Sequence, residues 1–90
     1  MNSTYRVIIS SKAQKQVKKL NKKIAHRVIN WLIDNIDNTT NPRQQGKALT
    51  GHLKGFWRYR VGEYRIICDI KDDELIILAI TIAHRREVYK

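Results

Sequence analysis

The chain has 90 residues, which suffices for one domain with a modest hydrophobic core. Its 18 lysines and arginines outnumber 8 aspartates and glutamates, and the net charge of +10 points to a polyanionic partner, either nucleic acid or an acidic protein. The single cysteine, Cys68, excludes a disulfide framework and favours a reducing compartment. No apolar run approaches the roughly 20 residues that span a bilayer, and the N-terminus lacks a signal-peptide core. We therefore expect a cytoplasmic protein with no membrane partner.

The first predicted elements are a strand over residues 5–9 and a short basic helix. Ser10 or Ser11 could cap this helix, because a serine hydroxyl accepts hydrogen bonds from the free N–H groups of the first turn. Apolar residues recur at helical spacing within the helix, and lysines surround them. The apolar positions are Ala13, Val17 and Leu20, and the lysines are Lys12, Lys15, Lys18 and Lys19.

A second predicted helix follows Asn21, which interrupts the first, and it fades near Asp37. Its apolar stripe consists of Ile24, Val28, Trp31, Leu32 and Ile36. Residues 38–42 carry turn-forming side chains and include the only proline, Pro42. We interpret this stretch as a connection within a single domain of residues 1–90, because neither half could bury its apolar face alone.

The centre of the chain predicts a β-hairpin. Two runs rich in aromatic and β-branched residues, 56–61 and 64–68, flank Gly62-Glu63, and glycine at the first position of a two-residue turn suits type II′. This turn sets the register of the pairs. Val61 faces Tyr64, Arg60 faces Arg65, Tyr59 faces Ile66, Arg58 faces Ile67, and Trp57 faces Cys68. Because side chains alternate along a strand, one face of the hairpin is apolar and the other is basic.

The basic face consists of Arg58, Arg60 and Arg65. Directly opposed like charges destabilise a pair of strands, and Arg60 opposite Arg65 is such a pair. Two interpretations stay open at this point: a solvated basic face, or a site that holds an anion.

The last predicted strand completes the fold. Residues 71–74 predict a second turn, and residues 75–82 are apolar at nearly every position, which is typical of a strand covered on both faces. The predicted fold class is therefore α+β. It has an N-terminal strand, two helices and a three-stranded antiparallel meander, with the helices packed on one sheet face.

A site for a metal, a cofactor or a small-molecule ligand has little support. The acidic residues Asp72, Asp73 and Glu74 lie in a predicted tight turn, where solvated polar residues are usual. The three histidines lack ligand spacing, and Cys68 has no cysteine partner. No glycine-rich phosphate loop or nucleophile elbow is present. We predict no metal, no cofactor and no small-molecule ligand.

The remaining candidates are the basic cluster and His84, Arg85 and Tyr89 at the chain end. These residue types suit RNA cleavage by attack of a 2′-hydroxyl on its own phosphate. The reaction needs a base for the hydroxyl proton, cations for the phosphoryl oxygens and an acid for the leaving 5′-oxygen. The arginine fork holds two phosphate oxygens at once. Tyr89 could be the base if arginines lower its pKa, and His84 could be acid or base.

Two stretches and the order of elements resemble the RelE/ParE superfamily of bacterial toxins. The stretches are residues 47–67, KALTGHLKGFWRYRVGEYRII, and residues 84–89, HRREVY. The resemblance covers essentially the whole chain and implies the RelE-like microbial ribonuclease fold. The ending with Arg85 and Tyr89 resembles the RelE branch, which cleaves mRNA in the ribosomal A site. The ParE branch, which poisons gyrase, generally lacks that ending.

The resemblance implies a role for each candidate. Arg65 matches the family's phosphate-binding arginine, and Arg58 and Arg60 fall where RelE-type nucleases place two lysines. This replacement removes the more readily deprotonated amines. Arg85 matches the arginine that supports the leaving group, and Tyr89 matches the tyrosine proposed as base.

His84 is a second candidate for the base, because the spacing of Arg85 and Tyr89 is tighter than in the best-known RelE-type sequences. Strand parity bears on this choice. A two-residue turn before the last strand would place His84 on the face of Arg65, and a bulge or a different turn would reverse this.

The sequence and the resemblance together predict a toxin of RelE type that cleaves mRNA without metal and inhibits translation. The implied partners are the ribosome, mRNA and a cognate acidic, RelB-like antitoxin. The alternatives are a ParE-like gyrase poison without nuclease activity and a non-catalytic basic RNA-binding domain. The predicted catalytic residues are Arg58, Arg60, Arg65, His84, Arg85 and Tyr89, and the predicted RNA-binding residues are Lys47, Lys54, Arg58, Arg60, Arg65 and Arg86.

Overall fold

The computed structural model describes residues 3–88, apart from the side chains of residues 87 and 88. The helices are α1 (Ser11–Lys18), α2 (Lys22–Asn35) and α3 (Arg85–Val88), and the strands are β1 (Arg6–Ile9), β2 (Lys47–Ala48), β3 (Trp57–Val61), β4 (Tyr64–Lys71) and β5 (Ile76–His84). A single turn of 3-10 helix, Gly51–Leu53, lies between β2 and β3. None of the helices in this range is long and apolar enough to cross a membrane.

The strands form one mixed sheet in the order β1-β5-β4-β3-β2. β1 pairs with β5 in parallel, and the other neighbouring strands pair antiparallel. The predicted α+β class is confirmed, with its N-terminal strand, helix pair and meander. The meander has an additional strand, β2, which sequence patterns do not reveal because it has only two residues and neither is β-branched or aromatic. The short helix α3 was also not predicted.

Side-chain caps start both long helices. Ser10 Oγ accepts a hydrogen bond from the Ala13 N–H at 3.1 Å, so Ser10 rather than Ser11 caps α1. The side-chain oxygen of Asn21 accepts a hydrogen bond from the Lys23 N–H at 2.8 Å. Asn21 therefore interrupts the helical half of the chain by starting the second helix.

Both long helices pack on one face of the sheet, and the core lies between the two layers. The buried residues of this core are Ala13, Val28, Leu32 and Ile36 from the helical half, and Tyr59, Val61, Ile66, Cys68, Ile77, Ala79 and Ile82 from the sheet. The hairpin has the predicted register, and its apolar face meets the helices. Gly62 has a φ of +59° and Glu63 does not have a positive φ, which matches the predicted type II′ turn.

Over most of its length, β5 is less buried on its outer face than on its helix side. Ile77 and Ala79 face the helices and are buried, whereas Ile76 and Leu78 on the outer face are half-buried. Ile8, the partner of Leu78 in β1, is 42% exposed. The prediction of a strand covered on both faces is wrong, because α1 and α2 pack on the same side of the sheet.

A β-bulge in β5 changes which way the end of this strand faces. The flanking pairs are Ile67 with Thr81 and Cys68 with Ala79. Ile80 is therefore the extra residue of the bulge. The Ser10 hydroxyl donates a hydrogen bond to the Ile80 carbonyl at 3.2 Å, so the start of α1 helps to hold the bulge. The preceding turn, residues 72–75, has four residues. A four-residue turn and a two-residue turn place the side chains of the following strand on the same faces, so the bulge alone moves His84 to the other face.

The segment 38–46 is held against the edge of the sheet. The buried hydroxyl of Tyr59 donates a hydrogen bond to the carbonyl oxygen of Pro42. Gly46 has a φ of +85°, and a Cβ atom there would clash with the carbonyl oxygen of Arg58. Only glycine permits this approach of one backbone to another.

A surface ion pair joins the same segment to the turn between β4 and β5. The guanidinium group of Arg43 donates to both carboxylate oxygens of Asp72 at 2.9 Å, and the Tyr5 hydroxyl donates to Asp72 at 2.7 Å. These two hydrogen-bond donors, Arg43 first, lower the pKa of Asp72 to about 2. Asp72 therefore connects three separate segments of the chain.

Candidate functional site

The outer face of the hairpin carries a cluster of cationic side chains. Arg60 pairs directly with Arg65, and Arg58 lies two residues along β3 on the same face. Lys47 in β2 pairs with Arg58 and so joins this face. We call Lys47, Arg58, Arg60 and Arg65 the arginine face. Paired Cα atoms are about 4.5–5.5 Å apart, which allows these long side chains to converge on one phosphate group.

The members of the arginine face differ in solvent exposure. Arg60 is exposed, whereas Arg58 and Arg65 are half-buried. Within the part of the chain that the structure describes, the Nε atom of Arg58 is buried and has no hydrogen-bond partner. A buried donor without an acceptor is costly, and an anion on this face would supply one. The face is therefore suited to bind an anion.

A pocket of about 200 Å³ lies beside the arginine face. It is lined by Trp31, Gln45, Gly46, Lys47, Arg58 and Arg60. Lys54 is not among these residues. It is exposed in the loop before β3, at the end of the hairpin opposite the Gly62-Glu63 turn, so the structure does not bring it to Arg60 and Arg65.

His84 lies on the side of the sheet opposite Arg65. Because of the bulge, Ala83 pairs with Arg65 and His84 pairs with Tyr64. The rings of His84 and Tyr64 meet edge to face, with their centroids 5.5 Å apart. A bulge therefore does reverse the face of His84, as the strand parity predicts.

Hydrogen bonding determines which nitrogen of His84 carries the proton. Nδ1 accepts a hydrogen bond from the Arg86 N–H at 3.2 Å, and Nε2 lies 3.7 Å from a carboxylate oxygen of Glu63. The proton of the neutral ring is therefore on Nε2. Because Nδ1 is engaged and Nε2 is protonated, the neutral ring has no free lone pair. This arrangement suits a hydrogen-bond donor better than a general base.

Arg85 begins α3 and is anchored to the hairpin turn. Its N–H donates to the Glu63 carbonyl oxygen at 2.8 Å, and its Nε lies 2.9 Å from the Glu63 carboxylate. Both side chains are more than half exposed, so the pair contributes little to stability, but it places Arg85 beside the turn that joins β3 to β4. Arg86 is exposed, and Tyr89 lies outside the described residues.

Glu63 has a second role at this end of the molecule that the sequence does not predict. The hairpin pattern assigns Glu63 only to the turn, whereas the structure brings its carboxylate to both His84 and Arg85. The contact joins residues that are far apart in sequence, so no local pattern could have revealed it.

Burial makes two potentially reactive groups inert. Cys68 is fully buried, and burial raises the pKa of its thiol to about 12. Burial also raises the pKa of Tyr59. Neither group ionises near neutral pH. Among residues 3–88, no group of three or more His, Cys, Asp or Glu side chains is placed to hold a metal ion.

Comparison with known proteins reveals the family. A family model described as the ParE toxin of the type II toxin–antitoxin system parDE matches residues 7–89. The chain belongs to this family of toxins. This toxin is 31% identical to Toxin RelE of Mycobacterium tuberculosis over 86 residues, which are 96% of this chain and 87% of that protein. It is 26% identical to Toxin RelG of the same organism over 86 residues, which are 96% of this chain and 97% of that protein.

Solved structures show the same fold. The toxin–antitoxin complex RelBE2 from Mycobacterium tuberculosis contains a chain that matches with a TM-score of 0.82 and 25% identity, covering 92% of this toxin and 100% of that chain. A chain of the intact RelBE toxin–antitoxin complex from E. coli matches with a TM-score of 0.70 and 17% identity, and the match covers 89% of this toxin and 95% of that chain. The RelE/ParE resemblance is confirmed, and this protein is a toxin of that type of toxin–antitoxin system.

Proposed function

We propose that this toxin is an endoribonuclease that cleaves mRNA in the ribosomal A site and so inhibits translation. The observation that carries the proposal is the arginine face, where two opposed arginines, a third beside them and a lysine share one surface of the sheet. The buried Arg58 Nε without a partner among the described residues supports an anionic ligand at this face. The similarity to Toxin RelE supports the nuclease branch.

The arginine face would hold the scissile phosphate. Arg65 from β4 and Arg60 from β3 donate hydrogen bonds to the phosphoryl oxygens, where negative charge grows as the 2′-oxygen attacks. Both guanidinium groups stay protonated at neutral pH. They therefore act as electrostatic stabilisers and transfer no proton.

The chain end would supply the remaining groups. As the bond from the 2′-oxygen to phosphorus forms and the bond to the 5′-oxygen breaks, a base takes the 2′-hydroxyl proton and an acid protonates the leaving oxygen. Tyr89 is the candidate base. Arg85, held by Glu63 at the end of the sheet, stabilises charge on the leaving oxygen.

A cognate acidic, RelB-like antitoxin would hold the toxin inactive. The net charge of +10 supports an acidic partner, and related toxins have been solved in complex with their antitoxins. The ribosome and mRNA are the other proposed partners, and the cytoplasm is the proposed location.

The experiment that tests this proposal is the substitution Arg65→Ala. Loss of one donor to a developing oxyanion costs on the order of 10²–10³ in rate, so we expect growth arrest to disappear and the cleaved mRNA ends on translating ribosomes to vanish. Arg6→Ala is the control, because Arg6 is an arginine of the same sheet but lies in β1, at the far edge.

The Arg65→Ala variant should still bind the antitoxin, since most single truncations leave an interface intact. Retained binding shows that the variant is folded. Full mRNA cleavage by Arg65→Ala would place the phosphate site elsewhere and overturn the assignment of the arginine face.

Gyrase poisoning is the second candidate function. The observation that favours it is the matching family model, which is described as a ParE toxin. A gyrase poison would leave mRNA intact on the ribosome, and gyrase-dependent DNA breaks would accumulate after induction. The two readouts therefore separate the candidates.

A further inference from the structure

A second cavity lies on the helix side of the sheet, away from the arginine face. Its volume is about 420 Å³, within the range of small-ligand pockets, roughly 300–1,000 Å³. The lining residues are Gln16, Lys19, Leu20, Tyr64, Ile82, Ala83 and His84. We call this cavity the aromatic cleft. It forms where the end of β5 lies against α1, and the bulge at Ile80 turns the His84 ring into it.

The lining of the aromatic cleft is aromatic, apolar and amide-bearing, with one cation. The half-buried rings of Tyr64 and His84 are nearly perpendicular, at 87°, and Leu20 adds an apolar wall. The Gln16 side-chain oxygen accepts a hydrogen bond from the Ile82 N–H at 2.7 Å, which fixes the amide at the rim. Lys19 is exposed beside it. A phosphate alone would leave the aromatic and apolar lining without a partner.

We propose that the aromatic cleft binds a nucleobase of the RNA whose phosphate lies on the arginine face. Aromatic rings such as Tyr64 and His84 are the usual platforms for single-stranded bases, and the Gln16 amide nitrogen can donate a hydrogen bond at a base edge. The Lys19 ammonium group lies where it can pair with the sugar–phosphate of the bound nucleotide. The RNA ligand of this inference rests on the proposed nuclease function, whereas the shape and lining of the cleft do not.

The position of the cleft fits one strand of RNA that reaches both sites. Tyr64 and Arg65 are consecutive in β4 and point to opposite faces, as do Ala83 and His84 in β5. The cleft and the arginine face are therefore back to back at the end of the sheet. An RNA strand that passes over the Gly62-Glu63 turn would place a phosphate on the arginine face and a neighbouring base in the aromatic cleft. Arg27 packs against Gly62 at this crossing.

The test is a titration of the full-length toxin with adenosine 5′-monophosphate, with uridine 5′-monophosphate and with inorganic phosphate, followed by NMR of the histidine and tyrosine rings. We expect at least one nucleotide to shift the ring signals of His84 and Tyr64. Inorganic phosphate should leave both rings unchanged. Equal shifts from phosphate, or no shift of either ring with any nucleotide, would overturn the proposal.

Two substitutions sharpen the test. Leu20→Trp fills the cleft and should weaken nucleotide binding about tenfold or more. Lys19→Ala, at the residue that follows α1, removes only an exposed charge and should weaken nucleotide binding several-fold, while Lys12→Ala, at the start of α1, should not. If Leu20→Trp disturbs the fold, the comparison of Lys19→Ala with Lys12→Ala decides alone. Equal affinity of these two lysine variants would contradict the proposal.

A protein side chain is the competing occupant. Titration with N-acetyltyrosinamide tests it, and ring shifts as large as those from the nucleotides would reassign the cleft to a protein partner. The binding assay contains no ribosome, so its outcome is separable from the proposed function. Nucleotide binding without mRNA cleavage would contradict only the nuclease proposal. Cleavage without ring shifts would contradict only the proposal that the aromatic cleft binds a nucleobase.

Discussion

Single residues define the two sides of the candidate site. Arg60 opposite Arg65 is an unfavourable cross-strand pair, and the attraction of both side chains to a bound phosphate would offset their mutual repulsion. His84 is separated from that pair by the sheet, and its Nδ1 atom accepts a hydrogen bond from the Arg86 N–H. The choice of base therefore rests on comparing His84 with Tyr89.

Tyr89→Phe and His84→Ala form one prediction at this scale. If Tyr89 is the base, Tyr89→Phe should lower the rate of mRNA cleavage on ribosomes by about 10²-fold or more, while His84→Ala should lower it only slightly. The reason is that His84 faces the helices and has no lone pair available. The measurement is single-turnover cleavage of a ribosome-bound message.

The reverse order of impairment would assign the base to His84, which would require the α3 start to open. Full activity of both variants, and of Arg85→Ala, would mean that the chain end is structural. Each variant needs a melting curve, so that a loss of fold is not taken for a loss of chemistry.

At the scale of elements, short polar contacts hold neighbouring segments in place. Ser10 links β1, α1 and the bulge, because its hydroxyl accepts from the Ala13 N–H and donates to the Ile80 carbonyl. Arg43, Tyr5 and Asp72 link the segment 38–46 to the β4–β5 turn. Two predictions about stability follow from these contacts.

Ser10→Ala should lower the free energy of unfolding by about 1–2 kcal/mol. The change removes a helix cap, worth on the order of 1 kcal/mol, together with a bond to the bulge. Ser11→Ala is the matched control, because Ser11 is the exposed first residue of α1, and it should change stability by less than about 0.5 kcal/mol. Chemical denaturation measures both. An equal loss for the two variants would contradict the assignment of the cap.

Asp72→Asn should remove a dependence of stability on pH. The pKa of Asp72 in the folded chain, about 2, lies below its ordinary value of 3.8, so the ion pair stabilises the fold fully above about pH 4. That stabilisation is lost as the pH falls towards 2. Because the side chains are 45% and 55% exposed, we expect less than about 1 kcal/mol.

The measurement is the melting temperature between pH 2 and pH 5. The wild type should lose more stability on acidification than Asp72→Asn, while Asp73→Asn, the same change one residue along the turn, should behave like the wild type. Parallel curves for all three proteins would show that the Arg43 pair is energetically negligible.

At the scale of the whole molecule, basic residues lie on both sides of the sheet. The arginine face is on one side, and residues 11–33 of the two helices, which contain no aspartate or glutamate, are on the other. RNA binding should therefore weaken steeply with salt. This distribution suits contact with more than one segment of RNA, or with an acidic antitoxin that wraps around the molecule.

Truncation after Ala83 separates the two candidate functions. It deletes His84, Arg85 and Tyr89 and leaves the arginine face and the buried part of β5. If the toxin is a nuclease, mRNA cleavage should vanish, because the leaving-group cation and both candidates for proton transfer are gone. If it is a gyrase poison, toxicity should persist through the helices and the hairpin.

The readouts are mRNA ends on ribosomes and gyrase-dependent DNA breaks after induction. Since α3 contacts β4 and β5, a melting curve of the truncated chain must show that it is folded. Growth arrest with intact mRNA and broken DNA would decide for gyrase.

The sequence by itself determined the hairpin and the two helices, because local chemistry specifies them. A two-residue turn with glycine first permits one register, so the pairing of Arg60 with Arg65 was predictable. The helical spacing of apolar residues likewise predicted α1 and α2. The arginine face follows from these patterns without any long-range information.

Only the tertiary structure decided the rest, because it depends on contacts between distant segments. The bulge at Ile80, which directs His84 towards the helices, is stabilised by Ser10 and by pairing with β4. The contact of Glu63 with Arg85 joins a turn to the chain end. The aromatic cleft exists only where the end of β5 meets α1. Local propensity cannot specify such contacts, since the groups that meet are separated by tens of residues and are brought together by the packing of helices on the sheet.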